Sequence, residues 1–258
     1  CGRESYCMAI LPVETEFGRK RQIDQSACNK DFSCLKGFCP SFVTIEGGQL
    51  KKPQAMDANE AIERHFAALP APTLADTAKP FNILVTGVGG TGVVTIGNIL
   101  GMAAHLEGRH VSVLDQTGLA QKYGAVMSHI QIADDGARLR ATRITDAGAD
   151  LVLGADLVTA ASRDGIRRLA RERSHVIVDT EATVVSAFTR NGDLDFGIDA
   201  MVRAIADGAG REHVHCLDAN ALATRLLGDA IGANLMLVGY AYQQGFVPMS
   251  AAALERAI

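Results

Sequence analysis

Six cysteines occur in the 258-residue chain, and five of them fall within residues 1–39. Their spacing is Cys1-x5-Cys7, then Cys28-x5-Cys34-x4-Cys39-Pro40. Thiolates this dense have three ordinary uses. Disulfides need an oxidising compartment, and no basic-then-apolar leader opens the sequence to suggest one. Zinc ribbons pair their ligands in C-x2-C knuckles, and this sequence has none. Iron–sulfur clusters need several thiolates converging from one loop, often ending in Cys-Pro. Unpaired structural thiols are the bland alternative.

Asp31 lies midway between Cys28 and Cys34, so the segment reads Cys-x2-Asp-x2-Cys-x4-Cys-Pro. That is the run of a bacterial ferredoxin with a carboxylate in place of its second cysteine and one extra residue before the last. An aspartate oxygen can bind iron, though more weakly than a thiolate. The alternative for Asp31 is a turn or capping carboxylate between Lys30 and Phe32. In two-cluster ferredoxins the last cysteine of each run ligates the other cluster. Applied here, one [4Fe–4S] cluster takes Cys28, Asp31, Cys34 and Cys7. The other takes Cys1, Cys39 and two ligands upstream of Cys1. The chain opens on Cys1 and closes in a helical pattern without a C-cap signal, so both ends are expected to be cut.

A second chemical signal is Gly87-Val88-Gly89-Gly90-Thr91-Gly92. It follows a strand-like run and opens a helix-like one, and Gly87, Gly89 and Gly92 fit G-x-G-x-x-G. Glycines permit a tight turn and close backbone approach, and free N–H groups at a helix start attract anions. Asp115 lies near the offset of a ribose-binding acid. Three readings stay open: packing or phosphate contact at an inter-domain site through Gly87, Gly89, Gly90 and Gly92, a true dinucleotide site completed by Asp115, or a purely structural turn. The polar loop DQTGLAQKY offers Gln116, Gln121 and Lys122 to a ligand or neighbour, or is an ordinary connection.

These residues need elements to hold them. Residues 1–48 carry few helical signals and too little hydrocarbon for a core, so they need metal or covalent staples. Ser41 to Glu46 reads as a short strand, and Arg19-Lys20-Arg21 as a solvated surface turn. Residues 49–80 read as a connector, with a helix over Asp57 to Leu69 and then an extended Pro-rich linker. Residues 81–258 alternate strands and helices. Strands are predicted over Phe81–Thr86, Val111–Leu114, Ala125–Ala133, Asp150–Gly154, His175–Asp179 and Val214–Leu217. Helices are predicted over Val93–Leu106, Arg163–Arg173 and most of Ala219–Gln243. That alternation predicts an α/β fold, a mostly parallel sheet with helices on both faces.

Composition narrows the function class. Hydrophobic residues are 48%, charged residues 21% and the net charge is −4, as in an ordinary globular protein. Basic residues form no long run, so no nucleic-acid partner is indicated. No stretch reaches the ~18 apolar residues of a membrane span. Among the seven histidines none pairs with glutamate or cysteine at a metal or catalytic spacing. His213 and His215 read as alternation within one strand, and Cys216 as a small buried hydrophobe.

CNKDFSCLKGFCPSFVTIEGG resembles the iron–sulfur portion of the long fused indolepyruvate:ferredoxin oxidoreductases, within the 2-oxoacid:ferredoxin oxidoreductases. GVGGTGVVTIGNILGMAAHLEG and VLDQTGLAQKYGAVMSHIQI are similar to the gamma-type domain of the same family. The resemblance spans essentially the whole chain, in the family's order. It implies a small ferredoxin-like segment before a Rossmann-like gamma-type domain that packs beside thiamine-diphosphate domains and helps position coenzyme A. It also implies oxidative decarboxylation of a 2-oxo acid to acyl-coenzyme A, with electrons passing through two [4Fe–4S] clusters to ferredoxin. Thiamine diphosphate and magnesium belong to a part not in view, since Gly192-Asp193-Leu194 and Gly228-Asp229-Ala230 are not the family's Gly-Asp-Gly. No catalytic residue is therefore assigned within this chain. The expected setting is the cytoplasm, in a homo-oligomer with further domains or partner subunits. Alternatives are a non-catalytic electron-transfer subunit, or an NAD- or flavin-linked reductase using the glycine loop.

Overall fold

A computed structural model describes residues 9–23, 46–48, 64, 66–118, 124–181, 191 and 193–258. The chain divides into two units, one of residues 1–53 with 182–197 and one of residues 54–181 with 198–258.

In the first unit, β1 (Ile10–Thr15) and β2 (Gly18–Ile23) form an antiparallel hairpin. The basic triplet Arg19-Lys20-Arg21 thus lies within β2 rather than in a turn. Its side chains are largely solvated, as expected, and the strand is held by its ladder to β1, which pairs Glu14 with Arg19 and Val13 with Lys20. Gly18, at φ 83, closes the turn in a conformation that L side chains rarely adopt.

The second unit is built on one six-stranded sheet in the order β4-β5-β3-β6-β7-β8. In chain order its strands are β3 (Phe81–Val88), β4 (His110–Thr117), β5 (Ala125–Ala133), β6 (Leu151–Gly154), β7 (His175–Asp179) and β8 (Val214–Leu217). β3, β6, β7 and β8 run parallel, but β5 pairs antiparallel with both β3 and β4. The sheet is mostly parallel, as expected, and is made mixed by β5, which runs against the other five strands. The cause is local: only residues 118–124 separate β4 from β5, fewer than the dozen or so that a parallel crossover needs.

Alternation along the strands divides the core between two faces. Ile83, Val85, Leu151, Leu153 and Ile177 pack on one side with α1 (Val93–Leu106), α5 (Ala219–Leu227), α6 (Ala233–Gln243) and α7 (Ala251–Ala257). Leu84, Val152, Val176 and Val178 pack on the other with α2 (Leu157–Ala160) and α4 (Ile198–Ala209). The near-continuous apolar strands follow from burial on both faces.

Two predicted helices come out shorter. Only Arg163–Ile166 is helical within the expected Arg163–Arg173, as α3. Beyond it Arg168 turns inward, 3% exposed, to donate to the Ile144 carbonyl at 2.8 Å, and the Ser174 hydroxyl accepts from Ala170 N–H. Ala219–Gln243 is interrupted at Gly228, whose φ of 79 ends α5 in a left-handed cap. Asp229 then caps a short 3-10 turn ahead of α6. Residues 70–80 are neither helix nor strand, as expected of a linker, yet they are held in place. Thr77 is 3% exposed and donates to Asp134 at 2.5 Å, and Gln243 donates to the Pro70 carbonyl. Most of the predicted Asp57–Leu69 helix and of the Ser41–Glu46 strand lies outside the described residues. Among the described residues no helix is long and apolar enough to cross a membrane.

Candidate functional site

The carboxyl ends of β3, β6, β7 and β8 form one edge of the sheet. The chain leaves β3 through α1 towards β4, and leaves β6 through α2 towards β7, on opposite faces. The β3/β6 boundary is therefore the switch point of the sheet, the position at which open α/β sheets place ligands.

The glycine loop lies at that boundary. Gly87 is buried, and a Cβ there would lie 2.5 Å from Val93 Cγ2 and 3.3 Å from Ala155 Cβ. Gly90 and Gly92 adopt φ of 91 and 92. Gly89 is held by its N–H, which donates to the Gly124 carbonyl at 2.7 Å. Three of the four glycines singled out from sequence thus have a steric or dihedral reason, and Gly89 has a backbone contact. The loop is closed by Thr91, whose hydroxyl donates to the Val88 carbonyl at 2.8 Å. Asn234, at the start of α6, donates to the Thr91 carbonyl at 2.7 Å. The sequence reading missed Asn234, whose only signal is a lone amide in an apolar helical run. No side chain caps α1 at Gly92, and its first turn has no acid. Its leading N–H groups are therefore suited to an anionic group.

Asp115 is placed differently from a ribose-binding acid. In a dinucleotide fold that acid ends the strand next to the glycine loop. Here β5 lies between β3 and β4, so Asp115 is two strand spacings from β3, roughly 10 Å. Its Oδ1 is buried without a hydrogen-bond partner, beneath α1. A Cβ on Gly97 would lie 3.5 Å from it and would collide with Ser128 Oγ, another buried atom without a partner.

Gln116, offered above as ligand-facing, instead accepts from His129 Nε2 at 2.8 Å. His129 is fully buried, and its Nδ1 accepts from Ile144 N–H at 3.4 Å, which fixes the Nε2–H tautomer. Burial, with the Arg168 and Arg143 guanidiniums adding to it, lowers its pKa to about 4. Gln121 and Lys122 lie outside the described residues.

Three aspartates follow the parallel strands along the same edge. Asp156 is 1% exposed, and its Oδ1 accepts from Thr159 N–H and Thr159 Oγ1, both at 2.6 Å. Asp179 accepts from Glu181 N–H at 3.0 Å and from Asn220 Nδ2 at 2.8 Å, and burial raises its pKa. Asp218 caps α5 through Ala221 N–H at 3.0 Å. The sequence reading did not single them out. Their signal is the repeated pattern of a short apolar strand and then Asp, in LVLGAD, HVIVD and VHCLD. Each carboxylate serves the turn after its strand, so they shape the edge and provide no acid–base pair.

Cys1, Cys7, Cys28, Asp31, Cys34 and Cys39 lie outside the described residues. Among the described residues no group of three or more His, Cys, Asp or Glu could hold a metal ion. Cys216, expected to be buried, is exposed, because β8 is the last strand of the sheet. His213 lies in a 3-10 turn ahead of β8, with His215 on the strand. His175 stacks on Phe246 at 3.8 Å, and His215 Nδ1 is 3.0 Å from the Tyr240 hydroxyl.

The sequence and the fold are similar to those of known proteins. Residues 82–258 match the family model of pyruvate ferredoxin/flavodoxin oxidoreductase. The indolepyruvate oxidoreductase subunit IorB of Thermococcus kodakarensis is 26% identical over 182 residues, which is 70% of this chain and 85% of that protein. The subunit of the same name from Methanothermobacter thermautotrophicus is 28% identical over 176 residues, covering 67% of this chain and 84% of that one. Among solved structures, the 2-oxoglutarate:ferredoxin oxidoreductase of Magnetococcus marinus shares the fold with a TM-score of 0.51 at 14% identity. The match spans 69% of this chain and 26% of that longer one. With more than half of its length matched, the chain belongs to the pyruvate ferredoxin/flavodoxin oxidoreductase family.

Proposed function

We propose that this chain is the cysteine-bearing and gamma-type portion of a 2-oxoacid:ferredoxin oxidoreductase of the indolepyruvate kind. The reading is carried by one observation: a domain of this family is joined, in one chain, to a segment with five cysteines within residues 1–39. Ile10 and Ile23 are register partners at the base of the hairpin. Cys7 lies three residues before Ile10 and Cys28 five residues after Ile23, so the two segments leave from adjacent points. That suits the assignment of one [4Fe–4S] cluster to Cys28, Asp31, Cys34 and Cys7, with Cys1 and Cys39 serving another. The clusters would supply one-electron transfer towards ferredoxin. The chain's own part is to ligate them and to set their potential by burial and hydrogen bonding.

Decarboxylation of the 2-oxo acid is assigned to thiamine diphosphate bound elsewhere in the enzyme, because this sequence carries no Gly-Asp-Gly. Partner subunits or further domains are therefore part of the proposal, as is a cytoplasmic setting. At the β3/β6 boundary, the uncapped start of α1 would hold an anionic group such as a phosphate of coenzyme A. Strand β5, inserted between the loop and Asp115, speaks against a dinucleotide there.

Anaerobically purified protein tests the reading by iron and sulfide content and by visible absorption. Iron and labile sulfide, with broad absorption near ~400 nm and no flavin band, are expected. Colourless, iron-free protein overturns the electron-transfer role. Tight binding of NADH would instead favour a nucleotide-linked reductase.

A further inference from the structure

Between β7 and α4 the chain leaves the α/β unit at residue 182, returns at 198, and in between belongs to the N-terminal unit. The described part of this excursion is Asn191 and residues 193–197, within NGDLDFG. It is a tightly bonded turn. Asn191 Oδ1 accepts from Asp193 N–H at 3.1 Å, the Asn191 carbonyl from Leu194 N–H at 3.3 Å, and Asp195 Oδ1 from Gly197 N–H at 2.8 Å. Gly197, at φ 65, takes the left-handed conformation that the exit of the turn requires. These bonds fix Leu194 and Phe196, two positions apart, so that both pack on Ile10 of β1, beside Leu11.

The hairpin needs such a partner. A two-stranded hairpin is marginal in water by itself. β2 reads Gly-Arg-Lys-Arg-Gln-Ile, with no apolar side chain before Ile23. Yet Ile10, on the opposing strand, is only 3% exposed. A polar contact adds to the apolar one. Arg19 Nε pairs with its cross-strand partner Glu14 at 2.5 Å, and Arg19 Nη1 donates to the Leu194 carbonyl at 2.9 Å. Salt-bridged by Glu14, the guanidinium fork is left with a donor directed at the turn.

We propose that the Asn191–Gly197 turn is the docking surface for the β1–β2 hairpin within the N-terminal unit. Leu194 and Phe196 seat the base of the β1–β2 hairpin, and the Leu194 carbonyl receives Arg19. The partner it fits is an apolar strand base with a guanidinium alongside. The base it grips is the end from which the sequence continues to Cys7 and Cys28, so a stretch within the family-matched residues 82–258 carries the anchor for the hairpin. The inference stands on packing and is independent of whether those cysteines bind iron.

Hydrogen–deuterium exchange on the full chain tests it. Leu194→Ser with Phe196→Ser should speed exchange in peptides covering residues 9–23 by about tenfold or more, as expected when an edge hairpin loses its apolar support. Peptides from β3, β6 and β7 should exchange as in the wild type. Arg19→Gln, a change at a partly exposed side chain, should give a smaller acceleration, about twofold to fivefold, in the same peptides. If residues 9–23 exchange at the wild-type rate in Arg19→Gln and in the double variant, the docking surface is wrong. It is equally wrong if Arg19→Gln speeds β3 and β6 as much as the hairpin. Iron content measured on the wild-type sample decides the electron-transfer reading separately, since its absence leaves the exchange comparison intact.

Discussion

At the scale of single residues, the glycine loop and His129 show two ways a side chain is constrained. Gly92 is required by its dihedral and Gly87 by the space that Val93 fills. Gly92→Ala should lower stability by about 1–2 kcal/mol, the cost of placing an L residue in a left-handed conformation. Gly87→Ala should cost at least as much, because Val93 anchors α1 and cannot retreat. Thermal melts of the two variants check both. His129 is constrained by proton affinity. Its pKa falls from 6.5 unfolded to about 4 folded. Between those values the unfolded chain binds a proton that the fold excludes, so stability is full above about 6.5 and declines as pH falls towards about 4, by at most about 1.4 kcal/mol per pH unit. His129→Gln removes that titration while keeping a donor for Gln116. Urea unfolding across this range should show a flatter pH dependence in the variant than in the wild type.

At the scale of elements, the edge that carries the candidate site is held by capping. Asp156 sits where β6 ends and α2 begins, and its buried Oδ1 satisfies two donors on Thr159. Asp156→Ala should cost about 2 kcal/mol, at the high end for a lost cap because the donors are buried. Asp156→Asn, which keeps an oxygen acceptor, should recover most of it, and chemical denaturation of the pair checks this. The capping signals were present in the sequence as a strand followed by Asp, yet they were not read as a set. Several elements were legible because their pattern is local. Val93–Leu106, Ala125–Ala133, His175–Asp179 and Val214–Leu217 were predicted with the boundaries observed. The interrupted helices were less legible. Gly228 and the inward turn of Arg168 break helical periodicity through a single dihedral and a single buried guanidinium, and an amphipathic count does not register either.

At the scale of the whole molecule, the chain is two units interleaved in sequence, because residues 182–197 belong with the N-terminal unit. Metal binding and folding are coupled in cysteine segments that lack a core. Cys28→Ala should therefore remove about one cluster's worth of bound iron. The α/β unit, with its own core on both faces of the sheet, should keep its melting transition within about 2 °C. Iron assay and calorimetry on the same preparation separate the two effects. A fall in both together would mean that the units unfold as one.

The sequence by itself determined the local chemistry. It determined the cysteine spacing, the glycine turn, which runs are strand or helix, and the family, since each depends on residue types a few positions apart. The tertiary structure alone decided the direction of β5, the distance of Asp115 from the glycine loop, the burial of His129 and the passage of residues 182–197 into the other unit. The physical reason is that strand direction and partner choice are set by which apolar faces meet across the molecule. Hydrophobic burial has no sequence direction, so a local pattern shows which residues will be buried and not what will lie against them.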